Sequence, residues 1–155
     1  MSDLSAFLAP GAVVAGLTVS SRKALFQQIG QVAEATYGLD TRLVLDRLSA
    51  REGQATTGYG GGIAMPHARF EALNEVHGVF VQLARPIDFG AVDELPVDLV
   101  FALLSPVQAG GRHLRALAEV SRALRQQSAR EQLRGAASSD ALYALLAGID
   151  ARDAA

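Results

Sequence analysis

The chain contains no cysteine. That absence excludes a disulfide framework and any thiolate-based metal site, and it fits a reducing compartment, so a cytoplasmic location is expected. Histidine is scarce too: His67, His77 and His113 are the full set. They lie far apart and show no paired ligand spacing such as i and i+4, so no local signal asks for a metal. Charge of one sign is not in excess. The formal net charge is −2, and nothing points to a nucleic acid or a membrane surface as partner. A sustained apolar run is missing as well. The uncharged stretch 4–21 is broken by Pro10, Gly11, Gly16, Thr18 and several serines, and no basic start precedes it, so neither membrane insertion nor a signal peptide is expected. It reads as a loop with a short strand around Ala12 to Val19. Repeats, linkers and low-complexity runs are absent.

What is present suits one domain. Half of the 155 residues are hydrophobic, enough for a core in a chain of this size, where folding buries about two-thirds of the unfolded surface. A single domain over residues 1–150 is expected, with 151–155 as a short frayed C-terminal tail. Ser20 or Ser21 can cap a helix to about Tyr37, with Leu25, Phe26, Ile29, Val32 and Ala33 at helical spacing and Gly38 at its end. Asp40 can cap a second helix running toward Arg51, with Val44, Leu45 and Leu48 on one face. Gly62 to Pro66, Val76 to Ala84 and Val97 to Leu104 read as strands. The last two are nearly continuous in apolar residues, as strands covered on both faces are. Arg85 to Pro96 leaves room for a turn or a brief edge strand.

A long helix is expected from about Arg112 to Gln127, with Leu114, Leu117, Ala118, Ser121 and Leu124 as its buried stripe. Ser128 with Glu131 reads as the capping box of a short helix. Ser139 can cap a last one, with Leu142, Leu145 and Leu146 inward. The alternation predicts an α/β fold, a mixed β-sheet sandwiched by helices.

The most informative stretch is TTGYGGGIAMPHAR, Thr56 to Arg69, which places His67 after a glycine-rich loop and a short apolar strand. A P-loop needs Lys and Ser or Thr after its glycines, and Ile63 and Ala64 stand there instead. The dinucleotide fingerprint fails too, because its third glycine falls on Ile63. What remains is a loop whose amides can face an anion, beside an imidazole, which suits a phosphorylated histidine. A tight glycine turn followed by a core histidine fits the same string. Arg51, near a helix C-terminus, complements the helix dipole, and its fork also fits phosphate. Thr57, the amides near Gly58 to Gly62, and His113 in the first turn of its helix can all meet an incoming negative charge. His113 can equally be a partly exposed first-turn residue. His77 has no motif around it and reads as structural or surface. Gly60, Gly61 and Gly62 permit close approach of another protein, or are simply a turn.

Residues 51–69, REGQATTGYGGGIAMPHAR, resemble the signature of the enzyme IIA domains of the bacterial phosphoenolpyruvate-dependent phosphotransferase system, mannitol/fructose class, and within it the nitrogen-regulatory members. The resemblance continues through VFVQLARPIDFGAVDELPVDLVFALLSP, Val79 to Pro106, and HLRALAEVSRAL, His113 to Leu124. Thr56 stands where serine is usual, Ala68 where glycine is usual and Arg69 where lysine is usual. The resemblance implies a mannitol-type enzyme IIA fold and a phosphotransferase without cofactor or metal. It implies His67 as phosphoryl acceptor, with His113 as the second histidine and Arg51 as the arginine before the loop. It implies a small phosphocarrier protein (HPr-like) as donor.

No permease segment and no cysteine-bearing enzyme IIB domain is present, which favours the nitrogen-regulatory role, with regulatory protein partners reading the phosphorylation state. A sugar-specific (fructose/mannitol) IIA passing phosphate to a separate IIB is the alternative. A non-catalytic regulatory module with the same fold is the alternative of another class.

Overall fold

The computed structural model of the chain describes residues 4–154. After a 3₁₀ turn, Leu4–Ala6, come β1 (Leu8–Leu17), α1 (Arg22–Tyr37), α2 (Thr41–Glu52), β2 (Gly58–Gly60), β3 (Ile63–Ala64) and β4 (His67–Phe70). Then follow β5 (His77–Ile87), β6 (Val97–Pro106), α3 (Gly111–Leu124), α4 (Gln127–Gly135) and α5 (Ser139–Ala154). The strands form one mixed sheet in the order β1-β5-β6-β3-β2, with β4 also paired to β6. β6 is the axis: antiparallel to β5, parallel to β3 and to β4. Residues 78–83 of β5 and 99–106 of β6 are buried without a gap, so both faces of the sheet are covered, as their apolar runs predict. α1 packs on β1 and β5, α2 on β4, α3 and α4 on β6, and α5 on β1. No helix among the described residues is long and apolar enough to cross a membrane.

One feature of the sheet positions the site. β3 lies beside Leu99 and Val100 of β6, and β4 lies beside Leu103 to Pro106. The two are halves of one strand, interrupted at Met65 and Pro66. Proline has no N–H, so the ladder cannot run through it. Its carbonyl still accepts the Leu103 N–H at 2.9 Å, which holds the break against β6. His67 is the first residue after the break.

The helix starts in the N-terminal half follow the sequence. Ser21 Oγ accepts the Ala24 N–H at 3.1 Å, and Asp40 Oδ2 accepts the Leu43 N–H at 3.0 Å. Gly38 ends α1 in the left-handed region at φ 74°.

Other expectations shift. β1 begins at Leu8 and ends at Leu17 rather than covering Ala12 to Val19, because a register irregularity between Leu8 and Val13 lets Pro10 and Gly11 sit inside the strand. The buried face of α3 is His113, Ala116, Val120, Ala123 and Leu124, and Leu114 is 66% exposed. Small side chains let α3 approach β6 closely, and its larger leucines turn toward a cavity instead. α3 stops at Leu124 because Arg130 Nη1 donates to the Leu124 and Arg125 carbonyls at 2.9 and 2.7 Å, closing the turn into α4. α4 starts at Gln127, so Ser128 lies inside its first turn and the expected capping box is not formed. Ser138, not Ser139, caps α5, accepting the Ala141 N–H at 3.1 Å. α5 then runs to Ala154, into the segment expected as a frayed tail.

Gly30 marks the tightest α1–α2 contact. A Cβ there would lie 2.7 Å from the Thr41 carbonyl oxygen. Helix propensity favours alanine by about 1 kcal/mol, whereas overpacking costs about 1–3 kcal/mol. Because the obstacle is backbone, Gly30→Ala is expected to lower stability, read as a lower urea midpoint with unchanged slope. An equal or higher midpoint would show that the helix pair gives way freely.

Candidate functional site

A cavity of about 790 Å³ opens between α2, β4 and the start of α3, and its lining includes Arg47, Arg51, His67, Arg69 and His113. A slightly larger cleft, about 870 Å³, lies at the N-terminus of α1 against α2 and Phe89, and none of the three histidines lines it. The site chemistry therefore belongs to the smaller cavity.

His67 is only 9% exposed. Its Nδ1 lies 2.8 Å from the Met65 carbonyl oxygen. A carbonyl can only accept, so Nδ1 carries the proton and Nε2 keeps a bare lone pair. Burial holds the His67 pKa below its usual 6.5; the Met65 hydrogen bond opposes this, and Arg51 and Arg69 reinforce it while Glu52 opposes. The ring is thus neutral at neutral pH.

His113 is 4% exposed rather than partly open, and its ring centroid lies 5.3 Å from that of His67, tilted by 58°. Its Nδ1 is 2.6 Å from Ser105 Oγ. Burial, then His67, Arg69 and Arg51, lower its pKa to about 4. The site thus pairs two neutral imidazoles, one with a free lone pair.

The arginines supply the positive charge. Arg51 stands in the last turn of α2, anchored by one Nη1 bond to the Ala55 carbonyl at 2.9 Å. Arg69 shares the His67 face of β4 by strand alternation and donates to the Val107 carbonyl at 3.3 Å. Arg47 ties the rim together, with Nη1 2.7 Å from both the Arg69 carbonyl and Glu71 Oε2. Burial of the loop residues goes the other way. Thr57 is fully buried, and Glu52 receives both its N–H and its hydroxyl at 2.6 Å. Gly58 donates to Thr56 Oγ1 at 3.0 Å. Neither Thr57 nor Gly58 lines the cavity.

The glycine turn also faces elsewhere. Gly60, Gly61 and Gly62 have φ 104°, 70° and 81°, so the turn needs glycine. Gly61 N–H donates to Asp93 Oδ2 at 3.0 Å, and Arg134, paired with Asp98, donates to the Gly61 carbonyl at 2.8 Å. The Gly61 amide thus serves the fold rather than an anion beside His67. His77 stacks on Tyr37, centroids 4.2 Å apart.

Ser105 and Glu52 are not singled out by the sequence reading, and Arg69 enters it only as the residue standing where lysine is usual. The strand that holds Arg69 is not expected; period-two counting from His67 places it at the site. Ser105 had a signal, as the one polar residue in 99–106.

The fold and cavity define a mixed-sheet α/β protein built around a buried histidine pair under arginines. A family model described as "Phosphoenolpyruvate-dependent sugar phosphotransferase system, EIIA 2" matches residues 6–148. The chain is 41% identical over 140 residues to a nitrogen regulatory protein of Bradyrhizobium diazoefficiens, covering 90% of this chain and 92% of that one. The crystal structure of nitrogen regulatory protein IIA-Ntr from Neisseria meningitidis matches with TM-score 0.86 at 34% identity, covering 92% of this chain and 98% of that one. Mannitol enzyme IIA from Escherichia coli, solved in complex with phosphorylated enzyme IIB, shares the fold at TM-score 0.76 and 22% identity, over 90% of this chain and 96% of that one. The chain belongs to the EIIA 2 family of the phosphotransferase system, a family of phosphotransfer proteins.

The buried His113 makes stability depend on pH with a definite sign. The unfolded chain takes up a proton there near 6.5, the folded chain only near about 4. Between those values the unfolded state binds more protons, so stability falls as pH is lowered through this window and the fall levels off below it. His67 acts in the same direction. His113→Gln is expected to flatten the stability–pH curve in this window, measured by urea unfolding at a series of pH values. An unaltered slope would mean that His113 titrates as an exposed histidine does.

Proposed function

We propose that this protein is a phosphocarrier of the phosphotransferase system that accepts a phosphoryl group on Nε2 of His67 from a small phosphocarrier protein (HPr-like). The observation that carries this reading is the Met65–His67 hydrogen bond, which leaves one bare nitrogen in a cavity rimmed by arginines. The Nε2 lone pair attacks phosphorus in line, and the P–N bond to the donor's histidine breaks with its electron pair leaving on the donor nitrogen. The proton stays on Nδ1, hydrogen-bonded to the Met65 carbonyl. Arg51 and Arg69 meet the phosphoryl oxygens, and His113 donates to them. Thr57 and Gly58, expected at the phosphate, are assigned a supporting part: the Thr57 carbonyl accepts the Met65 N–H at 2.9 Å and so steadies the group that orients His67.

The role proposed for the phosphorylated form is regulatory. Similarity to nitrogen regulatory proteins over nine-tenths of the chain supports it. Passage of the phosphoryl group to a separate enzyme IIB, as the partner of the mannitol protein suggests, is the second reading. A purely non-catalytic module is disfavoured by the intact trio of His67, His113 and Arg51.

Incubation with a phosphorylated carrier followed by mass spectrometry tests the reading. The parent protein is expected to gain one acid-labile, alkali-stable phosphoryl group, and His67→Ala none. Full phosphorylation of His67→Ala at another histidine would sink the assignment. His113→Ala is expected to accept phosphate but to transfer it about 10²–10³-fold more slowly, the usual loss for one oxyanion donor. Phosphorylation adds close to two negative charges to an arginine rim. Partner capture is therefore expected to differ between the phosphorylated protein and His67→Ala, and identical partners at equal affinity would favour the plain relay.

A further inference from the structure

Ser105 is a fully buried hydroxyl at the C-terminal end of an apolar run in β6. A buried hydroxyl is costly unless it is hydrogen-bonded, and alanine or valine would fill such a position without that demand. Its place in the sheet is specific. In the β4–β6 ladder His67 pairs with Leu103 and Arg69 with Ser105. Paired residues project to the same side of a sheet, as do alternate residues along one strand. Ser105 therefore shares a face with His67 and Arg69, the face on which His113 from α3 comes down to within 2.6 Å of the hydroxyl.

The direction of that hydrogen bond decides what His113 can do. If Nδ1–H donated to Ser105 Oγ, the hydroxyl proton would need another acceptor. None is recorded for Ser105 among the described residues, and the residue has no solvent contact. If the hydroxyl donates to a bare Nδ1, both atoms are satisfied and the imidazole proton sits on Nε2. No hydrogen bond among the described residues engages Nε2, and His113 lines the cavity beside His67.

We propose that Ser105 is a positioning residue for His113: its hydroxyl donates to Nδ1 and fixes the Nε2–H tautomer, which gives His113 a proton to share with a phosphoryl oxygen on His67. The tautomer assignment stands on the hydrogen-bond geometry alone, while its use in transfer rests on the phosphocarrier reading. The neutral state of His113, whose pKa lies near 4, makes the tautomer question meaningful at neutral pH. Ser105 touches neither the acceptor nitrogen nor the phosphoryl group, so its effect must pass through the second imidazole.

The test is long-range ¹H–¹⁵N correlation spectroscopy on histidine-labelled protein, without phosphate. His113 of the parent is expected as Nε2–H, and an Nδ1–H pattern in the parent overturns the proposal without any variant. Ser105→Ala is expected to shift the His113 pattern toward Nδ1–H or an even mixture, and Ser105→Thr, which keeps the hydroxyl, to retain Nε2–H. Phosphoryl transfer should slow by about 10–100-fold in Ser105→Ala, the loss seen when an orienting partner is taken from a metal-bound histidine, and recover in Ser105→Thr. Unchanged tautomer and rate in a folded Ser105→Ala overturn it. A parent that shows Nε2–H yet takes no phosphate on His67 would end the phosphocarrier reading and leave the Ser105–His113 assignment standing.

Discussion

The hydrogen bond from His67 Nδ1 to the Met65 carbonyl is the constraint around which the site is arranged. The acceptor is a backbone atom two residues back, available because Pro66 interrupts the strand between them. An uninterrupted ladder would have spent that carbonyl on a neighbouring strand. Met65 is itself held, its N–H donating to the Thr57 carbonyl at 2.9 Å, and Thr57 is held by the buried carboxylate of Glu52. A chain of hydrogen bonds thus runs from α2 through the start of β2 to the imidazole. These bonds fix the Met65 backbone in place, and with it the carbonyl that orients the ring. The ring is fixed in tautomer and direction without any side-chain carboxylate touching it.

Electrostatics then set the protonation state. Arg51 and Arg69 favour the neutral imidazole and would attract a phosphoryl group. Glu52 pulls the other way on His67, but it is committed to two short bonds with Thr57. Its negative charge stays at the back of the site, behind the backbone it fixes. Without that carboxylate two buried donors of Thr57 would be left unpaired, which costs about 1–3 kcal/mol for each such group. Glu52 is better understood as part of the support than as a base, since both its oxygens already accept hydrogen bonds from Thr57.

Much of this was legible in the sequence, and the parts that were not share a cause. The helices α1 and α2 follow their caps, Ser21 and Asp40, because local side-chain bonds decide helix starts. The strands β5 and β6 follow their apolar runs. The string from Thr56 to Arg69 fits either amides facing an anion or a tight glycine turn, and composition alone does not choose. The glycines serve a hairpin that packs on Asp93 and Arg134, while the cations at the cavity include Arg51, expected from the sequence, and Arg69, on a strand that is not. The sequence leaves His113 open between a residue that meets an anion and a partly exposed first-turn residue beside a stripe of leucines. The sheet instead selected the small residues, Ala116, Val120 and Ala123, as the contact face, and this carried His113 inward. Which of two helix faces lies down is decided by the surface it meets, and one sequence read alone does not contain that surface.

The same geometry bears on why a carrier would use two neutral histidines. A phosphocarrier must release what it binds, so its stabilisation of the phosphoryl group has to be moderate. An imidazolium beside His67 would add a full charge at about van der Waals range from the acceptor ring, and a charged donor binds an oxyanion roughly twice as strongly as a neutral one. Burial, His67 and the two arginines keep His113 neutral, so on the proposed reading it would supply direction with little added Coulomb attraction. The charge comes from Arg51 and Arg69, at the mouth of the cavity, where Arg69 is exposed and water screens it. A strong field would hold a phosphoryl group; on the proposed phosphocarrier reading, a screened field with one oriented neutral donor would let it leave when a second protein presents its own acceptor. The interrupted strand, which places a bare nitrogen at a cavity rather than on a convex surface, would then keep bulk water from competing for that transfer.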